Sequence, residues 1–160
     1  MTSKRLLKQI SFVFIILAIA ILAKPILALY SPSQRLNLTC NANLTVIKMN
    51  SKLFLAIKYY INGNNGIINY QGILDDGEDI YNVSRAAYFK VNRFKKMVNI
   101  KTSEITVSPA DDTPLDKIEN LIPAAYLVKD QNFKFEIYKQ SNNSYIFSTG
   151  YIPSFHCSVV

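Results

Sequence analysis

The sequence predicts a mainly β protein: an N-terminal transmembrane helix followed by a seven- to eight-stranded antiparallel barrel or sandwich with one short helix. Three observations predict it. A basic N-terminus runs into a long apolar segment, most of the remaining chain alternates apolar and polar residues with a period of two, and short turn signals separate the alternating runs. With 160 residues, 49% hydrophobic and 12% aromatic, and only five Gly and six Pro, the chain has the composition of one compact domain. Collagenous, linker-like and disordered classes are excluded, and two Cys are too few for a disulfide-dense mini-scaffold.

The first element is the membrane signal. Lys4, Arg5 and Lys8 precede the apolar run Ile10 to Ala23, and Lys24-Pro25 is followed by the further apolar residues Ile26 to Tyr30. Taken alone, the run to Ala23 is shorter than the roughly 20 residues that span a hydrocarbon core, and its small-residue end suits a cleavage site. Taken through Tyr30, with Lys24 snorkelling and Tyr30 at the interface, it is long enough for an uncleaved signal anchor. The expected layout is a cytoplasmic tail over 1–9, an anchor over 10–30, a linker over 31–39 and a periplasmic β domain over 40–160. The basic flank keeps the N-terminus inside and sends the domain across the membrane.

This placement makes the two cysteines informative. Cys40 opens the folded region and Cys157 closes it, and an oxidising compartment allows them to pair, so a disulfide tying the first strand to the last is expected. Two unpaired buried thiols are the alternative. A metal site is not expected, because His156 is the one imidazole and no CxxC or HxxxH spacing completes a ligand set.

The strands follow in order. Leu44 to Met49 reads as the first. Leu53, Leu55, Ile57, Tyr59 and Ile61 share one face of the second, and Asn62-Gly63-Asn64-Asn65-Gly66 supplies a hairpin turn before Ile67 to Leu74. After the turn at Asp75-Asp76-Gly77, Tyr81, Val83, Arg85, Ala87, Phe89 and Val91 form one face of a long strand, and Met97 to Val107 returns after the basic bend at 92–96. Thr113 is placed to cap, and Pro114 to begin, a short helix through Leu121 that Pro123 stops. Phe133 to Ile137, Tyr145 to Phe147 and Phe155 to Val160 complete the set. Closure into an up-and-down barrel removes exposed edges; a two-sheet sandwich and a curved sheet over the helix are the alternatives.

Motifs for chemistry are few. The clusters Asp75-Asp76-Gly77-Glu78-Asp79 and Asp111-Asp112 lack the spacing of a calcium loop and read as solvated turns. There is no GxSxG and no glycine-rich phosphate loop, so no catalytic residue, cofactor or metal is assigned. The formal charge of +7 is concentrated at the N-terminus: all 11 acidic residues come after residue 74, and from Ser31 onward 14 basic residues against 11 acidic ones leave +3. That balance, without a helix-turn-helix pattern, gives no direct nucleic-acid partner. The basic run Arg93-Phe94-Lys95-Lys96 reads as a solvated hairpin end. Ten Tyr and nine Phe mainly fill a core, but Tyr59, Tyr70, Tyr88 and Tyr138 are the candidates for orienting a ligand inside a barrel.

The basic N-terminus with one apolar segment, Cys40, Val83-Ser84-Arg85, the Pro114 to Leu127 segment and the closing Pro153-Ser-Phe-His-Cys157 resemble the FidL-like inner-membrane proteins of enteric bacteria. These are similar in layout to ToxS and VtrC, the small anchored partners of ToxR-like winged-helix regulators. The resemblance implies a lipocalin-like barrel, a hetero-oligomer with a ToxR-like membrane regulator, and in some systems a bile salt or other amphipath as ligand. The function expected on that basis is a non-enzymatic accessory protein that modulates the regulator. A periplasmic hydrophobic-ligand carrier and an assembly factor for surface structures are the alternatives; an open strand edge with a filled core would favour the last.

Overall fold

The computed structural model describes residues 36–150 and 152–159, which form a closed eight-stranded antiparallel barrel. The expected tail and anchor, 1–30, lie outside the described residues. Among those described, no helix is long and apolar enough to cross a membrane. The strands are β1 (Leu36–Lys48), β2 (Ser51–Gly63), β3 (Asn65–Asp75), β4 (Ile80–Phe94), β5 (Met97–Val107), β6 (Asn132–Lys139), β7 (Ser144–Thr149) and β8 (Ile152–Val159). Each pairs with its sequence neighbour, and β8 returns to β1. The structure therefore selects the barrel over the sandwich.

Period-two patterning decides which residues point inward. In β2, Leu53, Leu55, Ile57, Tyr59 and Ile61 are buried, and the residues between them are exposed. In β4, Val83, Arg85, Ala87, Phe89 and Val91 are buried. Gly72 is required by a close approach: a Cβ there would overlap the backbone carbonyl of Phe54 on the adjacent strand.

Two boundaries differ from expectation. β1 begins at Leu36, so residues 36–39, expected as linker, are already strand, and the strand expected over Leu44 to Met49 is only the second half of β1. Leu36, Leu38, Cys40 and Ala42 alternate inward, but the intervening Asn and Thr residues weaken the propensity signal. The helix α1 spans only Leu115–Ile118, capped at Pro114 without a side-chain bond. Thr113 does not cap it, because its hydroxyl donates 2.8 Å to the carbonyl of Asn82 on β4.

The β5–β6 connection is not a surface crossing. α1 and a 3-10 turn at Ala124–Tyr126 carry Ile118, Ile122, Ala125, Tyr126 and Leu127 into the barrel core. β5 pairs with β6 only over Met97 to Lys101, and beyond that the connection takes over. Thr102 N–H donates to Gln131, Asp130 N–H donates to Thr102, and the Thr102 hydroxyl donates 2.5 Å to the Ala125 carbonyl. The far end of the core is aromatic, with Phe147 packed 4.9 Å from Tyr59, 5.3 Å from Phe135 and 4.6 Å from Phe155 between ring centres.

Candidate functional site

Two features of the barrel could carry function: a polar cluster where the β5–β6 connection, which plugs the barrel, meets β3 and β4, and the seam between β1 and β8.

The cluster begins with Arg85, which β4 turns inward among apolar neighbours. Its Nε and Nη2 donate 2.8 and 2.9 Å to the Asp111 carboxylate, and Nη2 also donates 2.6 Å to the Thr113 carbonyl. Asp111 accepts further bonds from the backbone N–H of Ser84 and Thr113. Its side chain is only 1% exposed, so the expectation of a solvated Asp111-Asp112 turn is corrected for Asp111. A buried guanidinium requires a buried anion, and the loop after β5 delivers it. Asp112 stays exposed and accepts from the Asn82 backbone N–H. Burial works to raise the Asp111 carboxyl, but the bonds from Arg85, Ser84 and Thr113 outweigh it and hold the pKa below the usual carboxylate value. The bond to Asp111 raises Arg85 above its ordinary value against the opposing effect of burial.

Of the four tyrosines singled out, two share this interior and two do not. Tyr59 and Tyr126 join hydroxyl to hydroxyl at 2.9 Å, and the Tyr70 hydroxyl donates 2.6 Å to the Tyr126 carbonyl. Burial pushes all three phenols well above their ordinary pKa, so they stay neutral. Their polar ends are occupied by the plug, which is why they do not present a free phenol to a cavity. Tyr126, which organises both, was not singled out from sequence; its place after Pro123 within the connection gave no period to read. Tyr88 and Tyr138 point outward: Tyr88 is exposed, and Tyr138 donates to Glu136 on the barrel exterior, which raises its pKa. An odd step explains Tyr88, since Phe89 takes the inward place in β4.

The seam is the second feature. Among the described residues, β1 and β8 pair at Cys40 with Val159 and at Asn41 with Ser158. Cys40 and Cys157 form the expected disulfide there, with Cα atoms 5.5 Å apart. Beyond Asn41 the strands diverge, and a cleft of about 560 Å3 opens between Ala42 to Thr45 on β1 and Ser154 to His156 on β8. Along it, β1 pairs with β2 on one side, and across the cleft, among the described residues, it forms no pairs with β8. Leu44 and Phe155 are half-buried at its inner edge. His156 lies on β8, exposed, with Nε2 2.7 Å from the Ser144 hydroxyl. Among the described residues, no three His, Cys, Asp or Glu side chains are grouped to hold a metal.

The YqeJ C-terminal domain family matches residues 37–157, from the start of β1 to the second half-cystine. The chain belongs to that family. The match takes in the plug and both half-cystines. No curated protein and no solved structure matches the chain.

Proposed function

We propose that this protein is a non-enzymatic, membrane-anchored periplasmic accessory protein that pairs with a ToxR-like transmembrane transcription regulator and modulates it. The observation that carries the reading is the half-open β1–β8 seam. An unpaired strand edge supplies a row of backbone donors and acceptors, and adding a strand from a partner satisfies them. The inner edge of the cleft is apolar at Leu44 and Phe155, while Asn43, Thr45 and Ser154 face out. A segment that alternates apolar and polar residues fits that edge. The disulfide supports an oxidising compartment.

A carrier with a ligand inside the barrel has less support, because the plug and the aromatic cluster fill the interior and Tyr126 engages Tyr59 and Tyr70. An amphipath such as a bile salt would act at the shared interface, by binding one state of the pair more tightly than the other. An open edge over a filled core is the combination expected of an assembly factor that adds a strand to components of surface structures, so this second reading rests on the same edge and differs from the first in the partner it receives.

The test places a photo-crosslinking amino acid at Thr45 or at Ser154 in the full-length protein, in its native membrane. Crosslinks to the periplasmic domain of a one-span winged-helix regulator, and none from a probe at Lys134 on β6, are expected. Crosslinks to a surface-structure subunit would replace the first reading with the second. An absence of protein crosslinks from either seam position would end both.

A further inference from the structure

Beside the seam, and sharing Asn41, Asn43 and Thr45 of β1 with its cleft, the outer face of β1 to β4 carries a groove that extends across β2 and β3. Cavities of about 580 and 850 Å3 join along it, sharing Asn43, Ala56, Gln71 and Ser84. A third, of about 300 Å3, lies between Tyr60 and Tyr88. The register explains the shape. It sets Asn43, Ala56, Gln71 and Ser84 side by side across the four strands, and beside that row it sets Asn41, Lys58, Asn69 and Ala86. Small side chains at 56 and 86 keep the floor low. Beyond these rows the face rises to aromatic residues: Tyr60 and Tyr88 flank Ile67 at one end, and Phe54 lies beside Ile73 at the other. Phe54 and Tyr60 are 48% and 46% exposed. They lie six positions apart on β2, roughly 20 Å at strand rise.

The chemistry of the floor narrows the ligand. The amides of Asn41, Asn43, Asn69 and Gln71 bond to no other group among the described residues. Each amide offers donors and an acceptor together, the combination that matches a hydroxyl, which also does both. Lys58 is the one charged residue in the two rows, so the groove lacks the positive field that an anionic polymer or phosphate headgroup would need. Aromatic rings at the ends suit the apolar C–H faces of pyranose rings. We propose that the groove binds an uncharged oligosaccharide along β2 and β3, with Asn69 and Gln71 holding its hydroxyls and Tyr60 and Phe54 stacking on its end sugars. The proposal stands independently of the regulator reading.

The test uses full-length protein in lauryldimethylamine oxide, because a maltoside detergent presents a competing saccharide. Maltotetraose and tetra-N-acetylchitotetraose are titrated by calorimetry, and co-sedimentation with purified peptidoglycan sacculi is measured beside them. Saturable binding to at least one probe is expected, weakened at least tenfold by the double substitution Asn69→Ala, Gln71→Ala and unchanged by Lys134→Ala on β6. Both variants alter exposed residues, and unchanged melting curves verify that they fold. Failure of all three probes to bind, or equal binding by both variants, overturns the proposal. Loss of a protein partner from the double variant, with no saccharide bound, also overturns it and reassigns the face to protein docking.

Discussion

Arg85 and Asp111 join the barrel wall to its plug: Nε of the arginine on β4 lies 2.8 Å from Oδ2 of the aspartate at the start of the β5–β6 connection, with side chains 6% and 1% exposed. Lys117 on α1 makes a second tie, 2.7 Å from Asp76 in the β3–β4 turn. Lys48, at the end of β1, adds a third by donating 3.2 Å to the Asn120 carbonyl. These polar contacts set the register of a segment whose apolar residues alone could pack in several ways.

Asp111→Ala should destabilise the domain strongly. It removes the only carboxylate bonded to the Arg85 guanidinium and leaves that charge inside the barrel. Breaking such a pair on one side costs about 3 kcal/mol or more. The expected result in urea is a lower midpoint with an unchanged slope. Replacing both partners, Arg85→Met with Asp111→Ala, should recover part of the loss, because no unpaired charge remains. If the double variant were no more stable than Asp111→Ala alone, the pair would not be the source of the effect.

Acid should loosen the same attachment. Both Asp111 and Asp76 have folded pKa values below their unfolded ones, and for Asp76 the bond from Lys117 and those from the backbone of Asp79 and Glu78 bring it to about 2. A depressed carboxyl contributes stability that is fully present above its unfolded pKa, about 3.9 for Asp, and lost as pH falls through the folded value. Stability from these two groups should therefore stay level from pH 7 to about 5 and fall below about pH 4. Chemical denaturation as a function of pH reads this directly, and Asp76→Asn should reduce the acid slope.

Much of this arrangement is legible before any coordinates. Five inward residues of β2 and the inward set of β4 follow from alternation, and that alternation already puts Arg85 on an otherwise apolar face. An arginine there calls for an acid from elsewhere, and Asp111 was available, but its neighbours Pro109, Asp112 and Pro114 gave the stretch the composition of a surface turn. The inward course of 115–127 is a tertiary choice: the connection fills a barrel that lacks other contents, and no local pattern encodes that. Tyr59 and Tyr70 are buried, and their hydroxyls meet Tyr126 rather than open space because the plug reaches them. The seam was not legible either. Strand lengths alone do not show that β8 leaves β1 after two residue pairs.

The Tyr59–Tyr126 contact should behave as a coupled pair. Tyr126→Phe leaves the Tyr59 hydroxyl fully buried with no partner, and an unsatisfied buried donor costs about 1–3 kcal/mol. Tyr59→Phe leaves the Tyr126 hydroxyl in the same condition. The double variant removes both polar groups while keeping both rings, so it should be more stable than the sum of the single losses predicts. The bond from Tyr70 to the Tyr126 carbonyl is untouched in all three, which confines the comparison to one contact. A double-mutant cycle by urea denaturation measures the coupling, and strict additivity would show that the two hydroxyls do not depend on one another.

The disulfide should matter most at the seam. Cys40 and Cys157 are 117 residues apart, and on the chain-entropy view closing a loop of that length stabilises the fold by about 4–5 kcal/mol. Its loss removes the covalent tie from a junction that has only two residue pairs of its own. Replacing both cysteines by Ala should therefore do more than lower the midpoint of unfolding. Amide exchange should rise first in β8 and in β1 from Leu38 to Asn43, while β2 to β4, zipped along their lengths, keep their protection relative to the global unfolding limit. Hydrogen exchange read peptide by peptide distinguishes this from uniform weakening. A uniform increase across all eight strands would mean that the bridge acts only on the unfolded chain. A rise confined to β1 and β8 would locate the weak point of the barrel at the same edge proposed to receive a partner's strand.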